Sequence, residues 1–333
     1  MASSLDPATV SPTAPPPPSR EAADRTMLIV RLSATAIIVA FLVVAHLTTP
    51  QFVTWDNFLS ILRTAAPVGI AAVGLAFVTI SGNYFSLAIE QTAAFGGVIF
   101  ALCMVDAGLP LVVALAVGLA AAVVIGVLQG ATVGLGANPI ITTLGAGAGL
   151  YGLMAIISGS GTITVSTSLT SVLGGSLLGI PRVSYVFVAI TAIAYVVLVK
   201  TRLGRSIVLV GANTATATAS GIRSGGAVTG AFVLCSLAAA TAGIFGVAMF
   251  GEAGTQQMRG LTFDVVAAVL VSGISLKGGD GSPLRAAFGA FFIALLINFA
   301  ALHGYSYGVR LTMVGAAIVI GVTAHHLLRR IQD

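Results

Sequence analysis

Residues 65–105 read AAPVGIAAVGLAFVTI-SGNYFS-LAIEQTAAFGGVIFALCMV. Two apolar runs flank a short polar break. A transmembrane helix needs roughly 20 mainly apolar residues, within a range of about 17–25, and each run is of that order. Strands fit poorly, because open backbone groups cannot be left in hydrocarbon. The break contains Gly82, Asn83, Tyr84 and Ser86, and Glu90 and Gln91 follow early in the second run. Two readings fit it: a helix broken at mid-membrane that exposes backbone to a solute, or a tight turn at the membrane surface. An ionisable side chain at the bilayer centre costs about 2.5–3.5 kcal/mol on insertion scales. Glu90 therefore either faces a water-filled path or lies near the inner headgroups.

The rest of the chain extends this reading. Of its 333 residues, 57% are hydrophobic and 8% charged, against about 25% charged in soluble domains. So few charges could not cover a soluble surface of this size. The net charge is +5, but the basic residues occupy short gaps between apolar runs, which suits membrane orientation and gives no reason to expect a nucleic-acid partner. Cys103 and Cys235 both lie in apolar runs and read as small buried residues. Residues 1–25, with Pro15 to Pro18 and mixed charges, read as a disordered cytoplasmic tail. The apolar stretch after Arg31 lacks a convincing cleavage site and reads as an uncleaved first span.

The expected fold is an all-α membrane protein with about ten transmembrane helices in one domain, 26–333. Candidate spans lie near 29–48, 61–80, 86–105, 110–132, 139–158, 183–200, 226–250, 262–277, 284–303 and 308–327. With the N-terminus inside, eleven Lys and Arg residues fall in inside segments. Arg63, Arg182, Arg259 and Arg310 fall outside. That is the positive-inside bias, with both termini cytoplasmic and Trp55 at the outer interface.

The loop 200–225 is the most basic internal segment and holds a short helix-capable piece between Asn213 and Ile222. It reads as a docking surface or as an ordinary positive-inside loop. Gly126, Gly130 and Gly134 are spaced for close helix approach. AGLYGLMA from Ala148 echoes AGIFGVAM from Ala242 in the same membrane direction, either as a repeat or by chance between Gly/Ala-rich helices.

Enzyme motifs are sparse. No G-x-x-x-x-G-K-[ST] phosphate loop is present, so the chain should not hydrolyse ATP itself. Gly147, Gly149 and Gly152 form a G-x-G-x-x-G, but inside an apolar span rather than after a strand. His46, His303, His325 and His326 are scattered at span ends, and no nucleophile–base set appears. Beyond the break, polar groups within or between spans are Gln129, Asn138, Thr142, Thr143 and Asn298. Asp264 could cap the eighth span. Each of these polar groups could instead make an interhelical hydrogen bond only.

Three segments carry a family resemblance: TRLGRSIVLVGANTATATASGI from Thr201, NPIITTLG from Asn138 and FDVVAAVLVSGISLKGGDGSPL from Phe263. In content, order and spacing the chain after residue 50 resembles permease subunits of ribose-type (monosaccharide) ABC importers, related to branched-chain amino-acid permeases. The resemblance implies a fold similar to cobalamin-importer permeases and a multi-pass place in the bacterial inner membrane. It implies a second permease subunit, identical or not, and an extracytoplasmic solute-binding protein. It also implies an ABC ATPase, often a tandem cassette, which carries ATP and Mg while this chain holds no cofactor. Gly211, Asn213, Ala217, Ser220, Gly221 and Ile222, followed by Arg223, match the segment that couples to the ATPase. The expected solute path includes Asn83, Tyr84, Ser86, Glu90, Gln129, Asn138, Tyr151 and Asn298, and the solute is expected to be a monosaccharide or polyol.

The chain departs from the family pattern in places. Its coupling segment reads Thr-Ala-Thr-Ala-Thr-Ala from Thr214, where charges are common. Ser86-Leu87-Ala88-Ile89-Glu90 stands where Asp-Leu-Ser-x-Gly is usual. Tyr151 occupies a position that often holds Arg, and Arg285 one that is usually small. Alternative readings are a nucleoside or branched-chain amino-acid permease, an ion-coupled secondary transporter and, lowest, a membrane enzyme.

Overall fold

The computed structural model describes residues 41, 43–159, 161–165 and 172–330. The expected tail, 1–25, and most of the first expected span lie outside them. The described end of that span, 43–48, is helical.

The first long helix, α1 (Trp55–Ile80), starts where the Thr54 hydroxyl accepts the Asn57 N–H, 3.3 Å away. A side-chain cap of this kind satisfies one of the orphan donors of a helix start. It stops at Ser81-Gly82, where Gly82 has φ +83°. Three helices follow: α2 (Ile89–Val105), α3 (Leu111–Gly134) and α4 (Pro139–Ile157). After α4, strand β1 (Ile163–Thr164) and the hairpin of β2 (Ser176–Leu177) and β3 (Ile180–Pro181) lead into α5 (Arg182–Lys200). Two short helices, α6 (Arg202–Ala212) and α7 (Thr214–Ala219), precede the longest buried helix, α8 (Ser224–Phe250). Strand β4 (Glu252–Ala253) pairs antiparallel with β1. The chain ends with α9 (Leu261–Val271), α10 (Pro283–Leu302) and α11 (Tyr307–Arg330).

Six of these helices, α1, α3, α4, α5, α8 and α10, are long and apolar enough to cross a bilayer. The chain is an all-α, multi-pass membrane protein. Ten full spans were expected; among the described residues the remaining apolar helices, α2, α9 and the apolar part of α11, are shorter. At 1.5 Å per residue, α2 reaches about 25 Å and α9 about 16 Å, short of a hydrocarbon core of about 30 Å. The expected span 262–277 fails as one helix because Ser272 caps α9 and Gly273, at φ +72°, turns the chain away.

Two helices form the centre. The apolar windows of α1 and α8 are 78% and 67% buried, whereas those of α3, α4 and α5 are only 28%, 22% and 28% buried. These outer helices expose large apolar side chains such as Val124, Leu128, Val188 and Ile193, as lipid contact permits. The glycine stripe on α3 does what its spacing suggests. A Cβ at Gly126, Gly130 or Gly134 would come within 2.6, 2.6 and 3.0 Å of the Cα atoms of Val233, Thr229 and Gly225 on α8.

The helices form an inverted repeat. Helices α1–α4 correspond to α8–α11: α8 packs on α3 as α1 packs on α10, α2 on α3 as α9 on α10, and α2 on α4 as α9 on α11. In each half a long central helix is followed by an irregular segment and a shortened helix. The halves run oppositely, since α1 ends beside Gly211, just before the stretch that leads into α8. The sequence echo between α4 and α8 is therefore not this repeat, because those helices are not equivalent in it.

Candidate functional site

The break after α1 is a tied structure. The Thr79 hydroxyl donates to the Tyr84 carbonyl at 2.7 Å, and the Ser81 hydroxyl to the Val78 carbonyl at 2.7 Å. Asn83 donates from Nδ2 to Ser81 Oγ at 2.9 Å. Tyr84 takes a left-handed conformation, φ +54°, with its ring exposed, whereas Ser86 is buried. The Leu87 N–H donates to Thr143 Oγ1 of α4 at 3.0 Å, so the chain passes from the end of α1 to the side of α4 before α2 starts.

Glu90 then joins the two halves. Its backbone N–H donates to Thr262 Oγ1 at 3.1 Å, and its carboxylate accepts the Gly260 N–H at 2.8 Å. Gly260 is the N-cap residue of α9, at φ +87°. The shortened helices α2 and α9 thus meet start to start, and the acid sits where the orphan N–H groups and dipole of α9 favour negative charge. It lies at this internal junction, half-buried.

More charge surrounds the junction. Arg259 lies close enough to act electrostatically on Glu90. Buried Asp264 forms an ion pair with Arg310 of α11; it does not cap α9, whose N-cap has no side-chain hydrogen bond. The guanidinium carbons of Arg259 and Arg310 lie 5.7 and 5.8 Å from the ring centroid of Tyr307, within cation–π range. Formal charges balance across Glu90, Arg259, Asp264 and Arg310. Sequence reading counted both arginines as outside orientation charges and missed this grouping. Arg259 stands close before Asp264 in the sequence, which was a local signal, whereas Arg310, 46 positions from Asp264, gave none.

The other expected path residues are dispersed. Tyr151 is exposed on α4, its hydroxyl 3.4 Å from Gln256 Nε2. One turn earlier on the same helix, Gly147 faces Gln91 and Ala88. Gln129 is buried on α3, its Nε2 without a hydrogen-bond partner among the described residues. Asn138 caps α4, its Oδ1 accepting from the N–H groups of Ile140 and Ile141 at 2.9 and 3.2 Å. Asn298 is sealed in a reciprocal amide pair with Asn57 at 3.0 and 2.8 Å, far along the chain from the break.

The loop 200–225, expected to dock a partner, is largely exposed. Helix α6 is amphipathic, burying Ile207 and Val210 and exposing Arg202 and Arg205. Asn213 caps α7 by accepting the Thr216 N–H at 3.0 Å. In the segment that follows, Ala217 alone is buried and Ile222 half-buried, while Asn213, Ser220, Gly221 and Arg223 face outward. Gly221 turns the chain at φ +81° in open space. At the base of the loop, Gly211 touches two other segments backbone to backbone. A Cβ there would collide with the Ile80 carbonyl oxygen and lie 2.7 Å from Gly279 N. The Gly279 N–H itself donates to that Ile80 carbonyl at 2.8 Å. One glycine thus holds together the loop 200–225, the end of α1 and the turn that follows α9.

Residues 57–322 match the family described as the branched-chain amino acid transport system / permease component. The chain is 30% identical to the probable ABC transporter permease protein YphD of Escherichia coli K12, over 88% of each chain. It is also 30% identical to the ribose import permease protein RbsC of the same organism, over 90% of this chain and 94% of that one. Identity to the autoinducer 2 import system permease protein LsrD of Yersinia enterocolitica is 25%, over 78% and 80%. No solved structure matches.

Proposed function

The chain belongs to the branched-chain amino acid transport permease family, and from that premise we propose that it is the channel-forming permease subunit of an ATP-driven importer for a monosaccharide or polyol. The single observation that carries the reading is the junction at Gly211. An exposed loop that carries the capped helix α7 is fixed, through Gly211, to the end of α1 and to the turn that follows α9. Such a loop transmits a push from outside the membrane to the inverted halves.

The mechanism follows from that geometry. A partner ABC ATPase, of tandem-cassette type, docks on Asn213 to Arg223 and holds ATP and Mg. A solute-binding protein delivers solute to the opposite face of the inner membrane. Two permease subunits enclose the path, with the docking loops and both termini cytoplasmic. Each subunit has about ten helices in a cobalamin-permease-like arrangement, counting the span near 29–48 and the shortened helices. ATP binding and hydrolysis bias inward- and outward-facing states. The solute passes the junction lined by Asn83, Tyr84, Ser86, Glu90 and Tyr151. It binds weakly there, since tight binding would slow release.

Similarity over nearly full length to a ribose import permease favours a sugar-like solute. The family description favours a branched-chain amino acid as the second reading. The chain, co-reconstituted with a cassette ATPase and a binding protein encoded beside it, is expected to import labelled ribose or a related polyol only with ATP. Uptake by the chain alone on an ion gradient, or ATP-driven uptake of leucine and no sugar, overturns the proposal.

A further inference from the structure

At the end of α8, away from the docking loop, a polar pocket opens. Its volume is about 410 Å³, within the roughly 300–1,000 Å³ usual for small-molecule sites. The side chains around it are those of Thr162, Phe250, Glu252, Thr255, Gln256 and Gln257. The walls are pre-built. Strands β1 and β4 pair through Ile163–Ala253 and Thr164–Glu252, and the Val165 N–H donates to the Gly251 carbonyl at 2.9 Å. Both amide heteroatoms of Gln257 are withdrawn from water and lack a hydrogen-bond partner among the described residues. Buried amides are seldom left so, because the lost hydration is not repaid.

We propose that this pocket is the first station for the solute on the permease itself, and that it takes a neutral polyhydroxylated molecule of monosaccharide size. This rests on the importer reading above and adds a place and a chemistry to it. The lining chemistry selects the ligand class. A carboxylate, two primary amides and two hydroxyls provide acceptors and donors in mixed order, which matches hydroxyl groups that both give and accept. The Phe250 ring offers an apolar face to C–H groups. No Lys or Arg lines the pocket among the described residues, so a phosphate or an amino-acid carboxylate finds no counter-charge.

The pocket also leads somewhere. Gln256 reaches the Tyr151 hydroxyl, and the same loop continues through Arg259 to Gly260, which holds Glu90. Pocket and helix junction are thus the two ends of one seven-residue stretch, Gly254 to Gly260.

The test uses the full-length chain in lipid nanodiscs with no binding protein present. Saturation-transfer NMR is run with ribose as probe and leucine as control, on the native chain and on Glu252→Ala, Gln257→Leu and Thr255→Val. Signal on ribose and none on leucine is expected, with apparent affinity falling about tenfold in Glu252→Ala, the worth of one hydrogen bond to a charged group. Thr255→Val, a near-isosteric change, guards against loss through misfolding and is expected to weaken binding less. No transfer to ribose, equal transfer in Glu252→Ala, or transfer to leucine alone overturns the pocket. If ATP-driven ribose import by the assembled complex persists while the native pocket gives no signal, the pocket fails and the importer reading stands. If import of every sugar is absent, that reading fails first.

Discussion

Gly211 lies so close to the Ile80 carbonyl oxygen that no side chain fits between them. This contact joins the proposed docking loop to the last residue of the central helix α1, and the same carbonyl accepts the Gly279 N–H. The loop therefore cannot shift without moving the end of α1 and the turn after α9.

Gly211→Ala is expected to force these backbones apart. Overpacking of this kind costs about 1–3 kcal/mol. ATP-driven import by the assembled complex should fall sharply while membrane insertion persists. The comparison variant is Gly221→Ala. That site meets nothing within 4 Å, though its φ of +81° strains any side chain. Equal import by Gly211→Ala and the native chain would remove the junction from the mechanism.

Glu90→Ala leaves the Gly260 N–H without its acceptor, a loss of about 1–3 kcal/mol. Glu90→Gln keeps an acceptor oxygen and loses the charge. Thermal unfolding in detergent should rank native, Gln, then Ala, and import should follow that order. An Ala variant as stable as the Gln variant would show that the hydrogen bond does not hold the junction.

Asp264, buried, and Arg310, half-buried, form an ion pair. Removing one partner of such a pair typically costs about 3–5 kcal/mol, whereas replacing both by neutral groups can be close to neutral. Asp264→Asn and Arg310→Met should each reduce folded yield, and the double variant should recover much of it. Additive losses in that double-mutant cycle would mean the two charges act independently.

Asn57 and Asn298 exchange amide hydrogen bonds between α1 and α10. Asn298→Ala should destabilise by about 1–3 kcal/mol through the stranded amide, and Asn57→Leu with Asn298→Leu should destabilise less. Neither change should alter solute preference, which separates this clasp from the solute path. A changed preference in uptake competition would return Asn298 to that path.

Asn213→Ala removes the cap of α7, worth about 1 kcal/mol. The expected outcome is weaker stimulation of the ATPase partner with no change in solute binding. ATPase coupling identical to the native chain would argue that α7 is not the docking element.

The class of the fold was legible in the sequence. Apolar runs such as 110–132 and 226–250 satisfy their own backbone and need no partner to declare themselves helices. The exposed loop 200–225 and its short helix were legible as well, because its basic edge and its Asn213-to-Ile222 segment are local features. The glycine spacing of α3 likewise encoded a close approach before its partner, α8, was visible.

What the chain alone left open depended on distant pairs. The donor that Glu90 accepts from is Gly260, 170 positions away, which no local pattern announces. Asp264 looked like a cap until Arg310, 46 positions on, took its carboxylate. The partner of Asn298 is Asn57, 241 positions away, which again no local pattern announces. Hydropathy also carried α9 past Gly273, because a running average of polarity does not register a left-handed turn. Local sequence set which segments enter the membrane, since burying backbone polar groups is decided within one helix. Tertiary structure alone decided what each buried polar group does, since a hydrogen bond or ion pair exists only when packing brings its second partner within reach.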